Sequence, residues 1–344
     1  MVIDQWYLDN LACPIDRGPL TATNGALLCG HGHRYPVVDG VPVMLRPDVP
    51  QTIGLAAASL RRAAGDEIDA RAPSLHLESL GISDEEKRGV LALAATPGAV
   101  DPVVAYLVAA TNGLMYKHLI GGLQAYPIPA ITLAPGRGRR LLDVGCSWGR
   151  WTLAAERQGY EAVGIDPSLG AVLAARRAAT QVGASTRYLV GDARYLPFAA
   201  RTFDAAYSYS VIQHFSRTDA DRSIAEIGRV LRPGGIAKVQ MPTRFGVRCL
   251  YHQARRGFRE GRGFEVRYWT GRQLRELFTT HVGLARVEAD CYFGIGLQPS
   301  DAALMPWQLR RLLRVSERVK AWSAGWPALV GVADSVFVES VKRA

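Results

Sequence analysis

Five cysteines, at 13, 29, 146, 249 and 291, are odd in number and lie in mostly unrelated contexts, so they make no disulfide framework. A reducing cytoplasm is the compartment they fit. Long apolar runs are also missing. The most apolar stretch, 90–110, is interrupted by Pro97, Asp101 and Pro102 and reads as two helices, so no membrane span is expected. The start Met-Val-Ile-Asp-Gln-Trp has no basic leader followed by an apolar core, and no secretory segment is expected. Neither an internal repeat nor a low-complexity tract is present. What remains is a globular chain of 344 residues, long enough for one large core with smaller additions.

Acidic residues are outnumbered, 31 against 41 basic, for a formal charge of +10. Most of that excess is local. Between Met241 and Arg275 nine arginines (244, 248, 255, 256, 259, 262, 267, 272 and 275) face only Glu260 and Glu265, a net +7. They alternate with Phe245, Tyr251, Phe258, Phe264, Tyr268 and Trp269. Arginine forks suit phosphate or carboxylate and aromatics suit rings, so the stretch fits an anionic substrate, RNA, or a solvated insertion anchored by its aromatics.

The densest signal is Leu141 to Arg150, Leu-Leu-Asp-Val-Gly-Cys-Ser-Trp-Gly-Arg. Leu141, Leu142 and Val144 suit a strand covered on both faces, and helix formers resume at Trp151, which places a glycine turn at a strand's carboxyl end. Open α/β sheets bind ligands there. Gly145 and Gly149 allow a sharp turn and a close backbone approach. A second run, Glu161 to Ile165, ends at Asp166, where a carboxylate can grip ribose hydroxyls. Pro167 then sits at an expected first helical position. A third, Tyr188 to Val190, ends at Gly191-Asp192-Ala193; a fourth, Phe203 to Tyr207, ends at Ser208-Tyr209 and continues to His214. A helix stops at Pro233-Gly234 before the run Ile236 to Gln240. An NAD-type fold shares the loop, but Gly145, Ser147 and Gly149 lack the third glycine needed for close helix packing.

This succession resembles the class I S-adenosylmethionine-dependent methyltransferases, in the branch similar to the ubiquinone and menaquinone C-methyltransferases. The likeness covers roughly 138–297, with a last strand at 334–340. It implies an α/β, Rossmann-like sheet with helices on both faces, joined here by a small amino-terminal β ribbon and a helical insertion. It further implies that Asp143, Gly145, Cys146, Ser147 and Gly149 surround the methionine part of the cofactor, that Asp166 and Pro167 adjoin the ribose, that Asp192 and Ala193 meet the adenine, and that Ser208 flanks the methionine. Ser147 stands where the pattern has glycine. His214, following the fourth strand where related motifs often have histidine, is the leading general base, since imidazole exchanges a proton near neutrality. Tyr209, His252 and Tyr268 are further candidates.

Leu11 to Leu45 has short strands between turn residues, the pattern of a ribbon. Cys13 and Asp16 have the spacing of a zinc knuckle, and Cys29 and His33 can share one ion, so Cys13, Asp16, Cys29 and His33 form a zinc set with His31 as substitute. The ribbon resembles the small zinc-ribbon proteins that support methyltransferases and the ribbon of ribosomal RNA guanine methyltransferases, which commonly have cysteine where Asp16 stands. The likeness implies a protein partner or RNA for this region. Alanine-rich and leucine-rich sequence from Thr52 to Gln124 reads as helices, with a capping box at Ser83 to Glu86. By analogy with methyltransferase lids, Asn112, Tyr116 and His118 are substrate candidates, beside Arg244 and Tyr268. Trp269-Thr270 opens a helix through Phe278, a strand follows at 284–292, and 306–322 is an amphipathic helix suited to packing beside a sheet or to a membrane surface.

The expected division is a ribbon at 1–47, a helical region at 52–135, and a methyltransferase domain at 136–344 with a basic insertion at 242–268. The expected activity is methylation of an oxygen on a small-molecule or saccharide intermediate, one that can carry phosphate. Two alternatives stand beside it: RNA methylation, and a catalytically silent cofactor-binding subunit.

Overall fold

The computed structural model describes residues 3–65, 73–96, 98–112 and 114–344, with no side chain described at 73, 110–112 or 114. Pro97 and the Asn112 side chain thus lie outside it. The chain forms two compact units, Met1–Thr202 and Phe203–Ala344.

In the first unit, α1 (Gln5–Asn10) precedes a four-stranded ribbon of β1 (Leu20–Thr23), β2 (Ala26–Cys29), β3 (Arg34–Val38) and β4 (Val41–Pro42), antiparallel and in sequence order. Asp39-Gly40 joins the last two strands with φ of 46° and 78°, the positive values a tight hairpin requires. Helices α2 (Gly54–Ala64), α3 (Asp84–Ala94) and α4 (Pro102–Asn112) follow. The Ser83–Glu86 capping box opens α3, and the apolar 90–110 stretch divides into two helices, both as the sequence indicates.

Then come β5 (Arg140–Val144), α5 (Arg150–Arg157), β6 (Glu161–Asp166), α6 (Leu169–Gln181) and β7 (Arg187–Val190). The three strands are parallel, in the order β5-β6-β7. Leu141, Leu142, Val163, Ile165, Leu189 and Val190 are all buried, which is what continuous apolar strands in a parallel sheet require. The ribbon is stitched to β7. Val43 bridges Val190, Met44 N–H donates to the Val190 carbonyl at 2.7 Å, and the Tyr7 hydroxyl donates to the Tyr188 carbonyl at 2.7 Å.

The second unit runs β8 (Phe203–Ser208), α7 (Arg217–Val230), β9 (Leu231–Pro242), α8 (Val247–Arg255), α9 (Gly271–His281), β10 (Ala285–Cys291), α10 (Trp307–Ser323), α11 (Pro327–Val330) and β11 (Ser335–Val341). Its strand order is β10-β11-β9-β8, with β8 parallel to β9 and β11 antiparallel to both neighbours. The fold class is the expected one, α/β and Rossmann-like with a separate small ribbon. The antiparallel β11 distinguishes it from the all-parallel dinucleotide arrangement.

Two local expectations change. Pro167 is not the first residue of α6: Ser168 caps that helix, its hydroxyl accepting the Ala171 N–H at 3.2 Å, and Pro167 lies outside it. The long helix α10 buries only Leu313, Ser316 and Ser323, so packing beside a sheet does not account for its other apolar residues.

Candidate active site

The turn after β5 is held in a left-handed path, with φ of 80° at Gly145, 47° at Ser147 and 82° at Gly149. Glycine adopts such values freely, whereas serine does so at a cost, so the one departure from the glycine pattern falls on a strained position. Gly149 is required twice over, because a Cβ there would lie 2.6 Å from the Tyr188 hydroxyl. The Ile165 carbonyl accepts from Gly145 N–H at 2.8 Å and Cys146 N–H at 3.0 Å, tying the turn to the end of β6.

Asp143 is buried below this turn. One carboxylate oxygen accepts the Thr152 hydroxyl at 2.7 Å, and the other is buried without a partner. Desolvation, opposed by that hydrogen bond, pushes its pKa up to about 7. Asp166 uses one oxygen on Ser147 N–H and the other on Ser168 N–H, both at 2.9 Å. Desolvation raises it to about 6. A carboxylate has about four acceptor positions, so two remain for a hydroxyl-bearing ligand. Asp166 is partly exposed and able to reach one.

The helical region braces this corner. Ser59 donates to the Pro167 carbonyl at 2.8 Å and accepts Leu169 N–H at 2.9 Å, while the Ser79 hydroxyl accepts Gly170 N–H at 2.7 Å. Tyr116 is fully buried, with the Arg150 guanidinium 5.3 Å from its ring centre; His118 is exposed. At the end of β7, Asp192 is engaged with Arg194, which is buried beside it and donates at 2.7 Å, and Asp192 also accepts Arg194 N–H at 2.8 Å. Ala193 is buried in the turn that this capping starts. Cys146 is buried, and desolvation holds its thiol protonated.

The ribbon gathers Cys13, Asp16, Cys29 and His33, whose ligand atoms all lie within 4.8 Å of one another. His33 Nδ1 is 3.4 Å from Cys13 Sγ, 3.2 Å from Cys29 Sγ and 3.0 Å from Asp16 Oδ2. Tetrahedral zinc with bonds of about 2.0–2.3 Å separates its ligand atoms by roughly 3.3–3.8 Å, so the cluster needs little change to accept the ion. Asp16 is aimed by its Asx turn: Gly18 N–H donates to Oδ1 at 2.8 Å, and this bond, with those of the cluster, keeps the carboxylate well below its usual range. The exposed His31 also reaches Asp16 Oδ2, at 2.9 Å, and lies outside the four.

In the second unit Ser208 is buried at the end of β8, and the next residues rest on a polar network. The Tyr209 hydroxyl lies 3.3 Å from Asp290 Oδ2 and receives Gln298 Nε2–H at 3.0 Å; Ser335 donates to Asp290 at 2.7 Å. Ser210 has a φ of 60° and gives its N–H to Gln240 at 3.0 Å. His214 stacks on Phe264, 3.9 Å between ring centres, and its Nδ1 lies 2.7 Å from the Phe264 carbonyl. A carbonyl only accepts, so the proton is on Nδ1 and the lone pair on Nε2, which is 3.2 Å from the Gln213 amide nitrogen. Burial lowers the His214 pKa and keeps the ring neutral.

The other candidates are dispersed. His252 and Arg244 are exposed, and the His252 pKa is lowered by desolvation and by neighbouring arginines. Tyr268 is buried under Arg256, its pKa pushed up to about 12, which makes it a poor proton acceptor at neutrality.

Residues 141–235 match the family model described as a methyltransferase domain. The match runs from β5, the strand before the glycine turn, into β9. A ubiquinone biosynthesis O-methyltransferase of Azorhizobium caulinodans is 32% identical over 107 residues, which are 31% of this chain and 42% of the relative. An uncharacterized methyltransferase of Mycobacterium tuberculosis is 36% identical over 115 residues, 33% of this chain and 44% of the relative. The chain thus spans less than half the length of the curated relatives it matches. Among solved structures, a complex between the Haloferax volcanii Trm112 methyltransferase activator and a methyltransferase has a TM-score of 0.43 and 18% identity, covering 70% of this chain and 93% of that chain.

Sequence reasoning missed Asp290, Gln240 and Thr152. Each is an unremarked polar residue inside an element, and only the fold carries it to Tyr209, Ser210 or Asp143.

Proposed function

We propose that this chain is an S-adenosylmethionine-dependent methyltransferase acting on an oxygen of a small-molecule or saccharide acceptor. The observation that carries the reading is the buried Asp143 with an unpartnered carboxylate oxygen beneath a turn left-handed at Gly145, Ser147 and Gly149, followed by Asp166 with acceptor capacity to spare. Such a donor and acceptor set fits a ligand with a cationic amino acid end and a ribose diol. When bound, that cofactor supplies an activated sulfonium methyl group. The chain's own work is to bind, orient and exclude water: Asp166 takes the ribose hydroxyls, Gly145, Cys146, Ser147 and Ser208 border the methionine, and Pro167, Asp192 and Ala193 flank the base and sugar. His214, neutral with its lone pair on Nε2, accepts the proton of an acceptor hydroxyl that displaces the Gln213 amide from that lone pair. Tyr209, His252, Tyr116, His118, Arg244 and Tyr268 are acceptor-side residues in this reading.

The test is transfer of labelled methyl from S-adenosylmethionine into a host extract separated into small molecules, glycans, RNA and protein, with Asp166→Ala as control. Label in small molecules or glycans supports the proposal. Label lost on ribonuclease digestion points instead to RNA, and no transfer by purified chain that binds the cofactor points to a silent subunit. Asp166→Ala is expected to weaken cofactor affinity by at least about tenfold, whereas His214→Ala is expected to slow turnover at unchanged affinity.

We further propose that Cys13, Asp16, Cys29 and His33 hold one structural zinc. Tetrahedral ligand spacing supports this, with Asp16 contributing oxygen where related ribbons have sulfur. About one zinc per purified chain, falling in Cys29→Ser, is the expected result. Zinc at trace level in both proteins would remove the site.

A further inference from the structure

Sixteen of the seventeen large hydrophobic residues exposed among the described residues belong to the second unit, Val182 being the exception. Helix α10 concentrates them. Trp307, Val315 and Trp322 are 59%, 42% and 64% exposed, and Trp326, one turn beyond, is 72% exposed. At 100° per residue, Trp307, Arg311, Val315, Arg318 and Trp322 fall on one face, opposite the buried Ser316 and Ser323. Arg310, Arg311, Arg314 and Arg318 have no acidic partner among the described residues; Glu317, the helix's one acid, lies 3.8 Å from Lys320.

A second part of the unit repeats the pattern. Helix α8 buries Cys249 and Gln253 and leaves Val247, Leu250 and Tyr251 exposed beside Arg248 and Arg255. Its first turn is held by Asp334, which accepts Arg248 N–H at 2.7 Å, Cys249 N–H at 3.1 Å and, on its other oxygen, Gly294 N–H at 3.0 Å. The backbone groups that this carboxylate holds adjoin the exposed Val247 and Phe293 in the chain.

We propose that this unit docks peripherally on an anionic phospholipid bilayer, with α10 lying in the headgroup layer. Tryptophan prefers that layer, aliphatic residues beside it enter the acyl boundary, and arginines meet lipid phosphates. No helix among the described residues is long and apolar enough to cross a membrane. The occupant is set by charge and side-chain type. A second copy would bring the same positive face against this one. RNA would use the arginines and rings, but would leave Val315 and Val332 unburied. An anionic bilayer satisfies both.

The test is flotation of the full chain with phosphatidylcholine vesicles made with and without phosphatidylglycerol, together with tryptophan emission. Expected is flotation and a blue shift only with phosphatidylglycerol, reversed by high salt. Trp307→Ser/Trp322→Ser/Trp326→Ser and, separately, Arg311→Glu/Arg318→Glu should each cut the bound fraction by roughly tenfold or more at an unchanged thermal midpoint. If the tryptophan variant fails to melt cooperatively, the arginine pair decides. Failure of the parent chain to float with phosphatidylglycerol, or flotation equal in parent and folded variants, overturns the proposal. So does binding of poly(U) RNA with the same arginine dependence and no flotation.

Discussion

At the scale of single residues, Asp143 is the most consequential group beneath the glycine turn. Its folded pKa of about 7, raised mainly by burial, compares with an ordinary value of 3.8. Between those values the folded chain holds a proton that the unfolded chain has lost, so stability falls as pH rises through the window, and the full cost is present above it. A difference of three units corresponds to about 4 kcal/mol as an upper bound. Asp143→Asn keeps an acceptor for Thr152 and has no charge to bury. In cofactor-free protein it should therefore melt several degrees above the parent at pH 8 and close to it at pH 4. A constant difference across that range would show that Asp143 is not the titrating group. Asp166 was legible in the sequence because it ends the apolar run that follows the glycine turn, and Asp143 because it is the one acid within the apolar run that leads into that turn. The Arg194 guanidinium on Asp192 was not, since nothing in Gly-Asp-Ala-Arg says that the fourth residue folds back on the second.

Among elements, legibility followed the distance between partners. The capping box at Ser83–Glu86 and that at Thr270–Gln273 each satisfy helix ends from three residues away, and such a pattern can be read directly. Helix α8 has no cap of its own: Gly246 provides no side chain, and Asp334 serves it from 86 residues away at Arg248 and 85 at Cys249. No local pattern announces that. The buried Asp334 carboxylate satisfies three backbone N–H groups, so Asp334→Ala should cost about 2–3 kcal/mol at roughly one per hydrogen bond. Asp334→Asn, which keeps one acceptor oxygen, should fall between alanine and the parent in a urea melt. Unchanged stability in the alanine variant would mean that water serves the three groups equally well. The amphipathic pattern of 306–322 predicted helix α10 correctly, but periodicity marks an apolar stripe without saying whether the protein covers it.

For the molecule as a whole, the sequence separates a ribbon at 1–47 from the rest of the chain, and the structure shows how that ribbon is attached. Beyond the Val43 and Met44 pairing with Val190, Ala12 N–H donates to the Pro197 carbonyl and Ala199 N–H to the Asn10 carbonyl, both at 3.0 Å. Arg17 donates to the Leu196 carbonyl at 2.9 Å and Arg140 to the Asn10 side chain at 2.9 Å. Trp6, Tyr7, Leu11, Met44 and Leu45 are buried, and the ribbon closes an edge of β7 that would otherwise present bare N–H and C=O groups. A module attached through a flexible linker would have neither property. Residues 48–344 expressed alone should accordingly aggregate or bind a hydrophobic dye, and co-expression with 1–47 as a separate chain should restore a monodisperse complex. Light scattering and a thermal melt decide it: if 48–344 alone is monodisperse and melts cooperatively at the parental midpoint, the ribbon is an appendage, and its hydrogen bonds to the β7 segment contribute nothing to the stability of the unit they join.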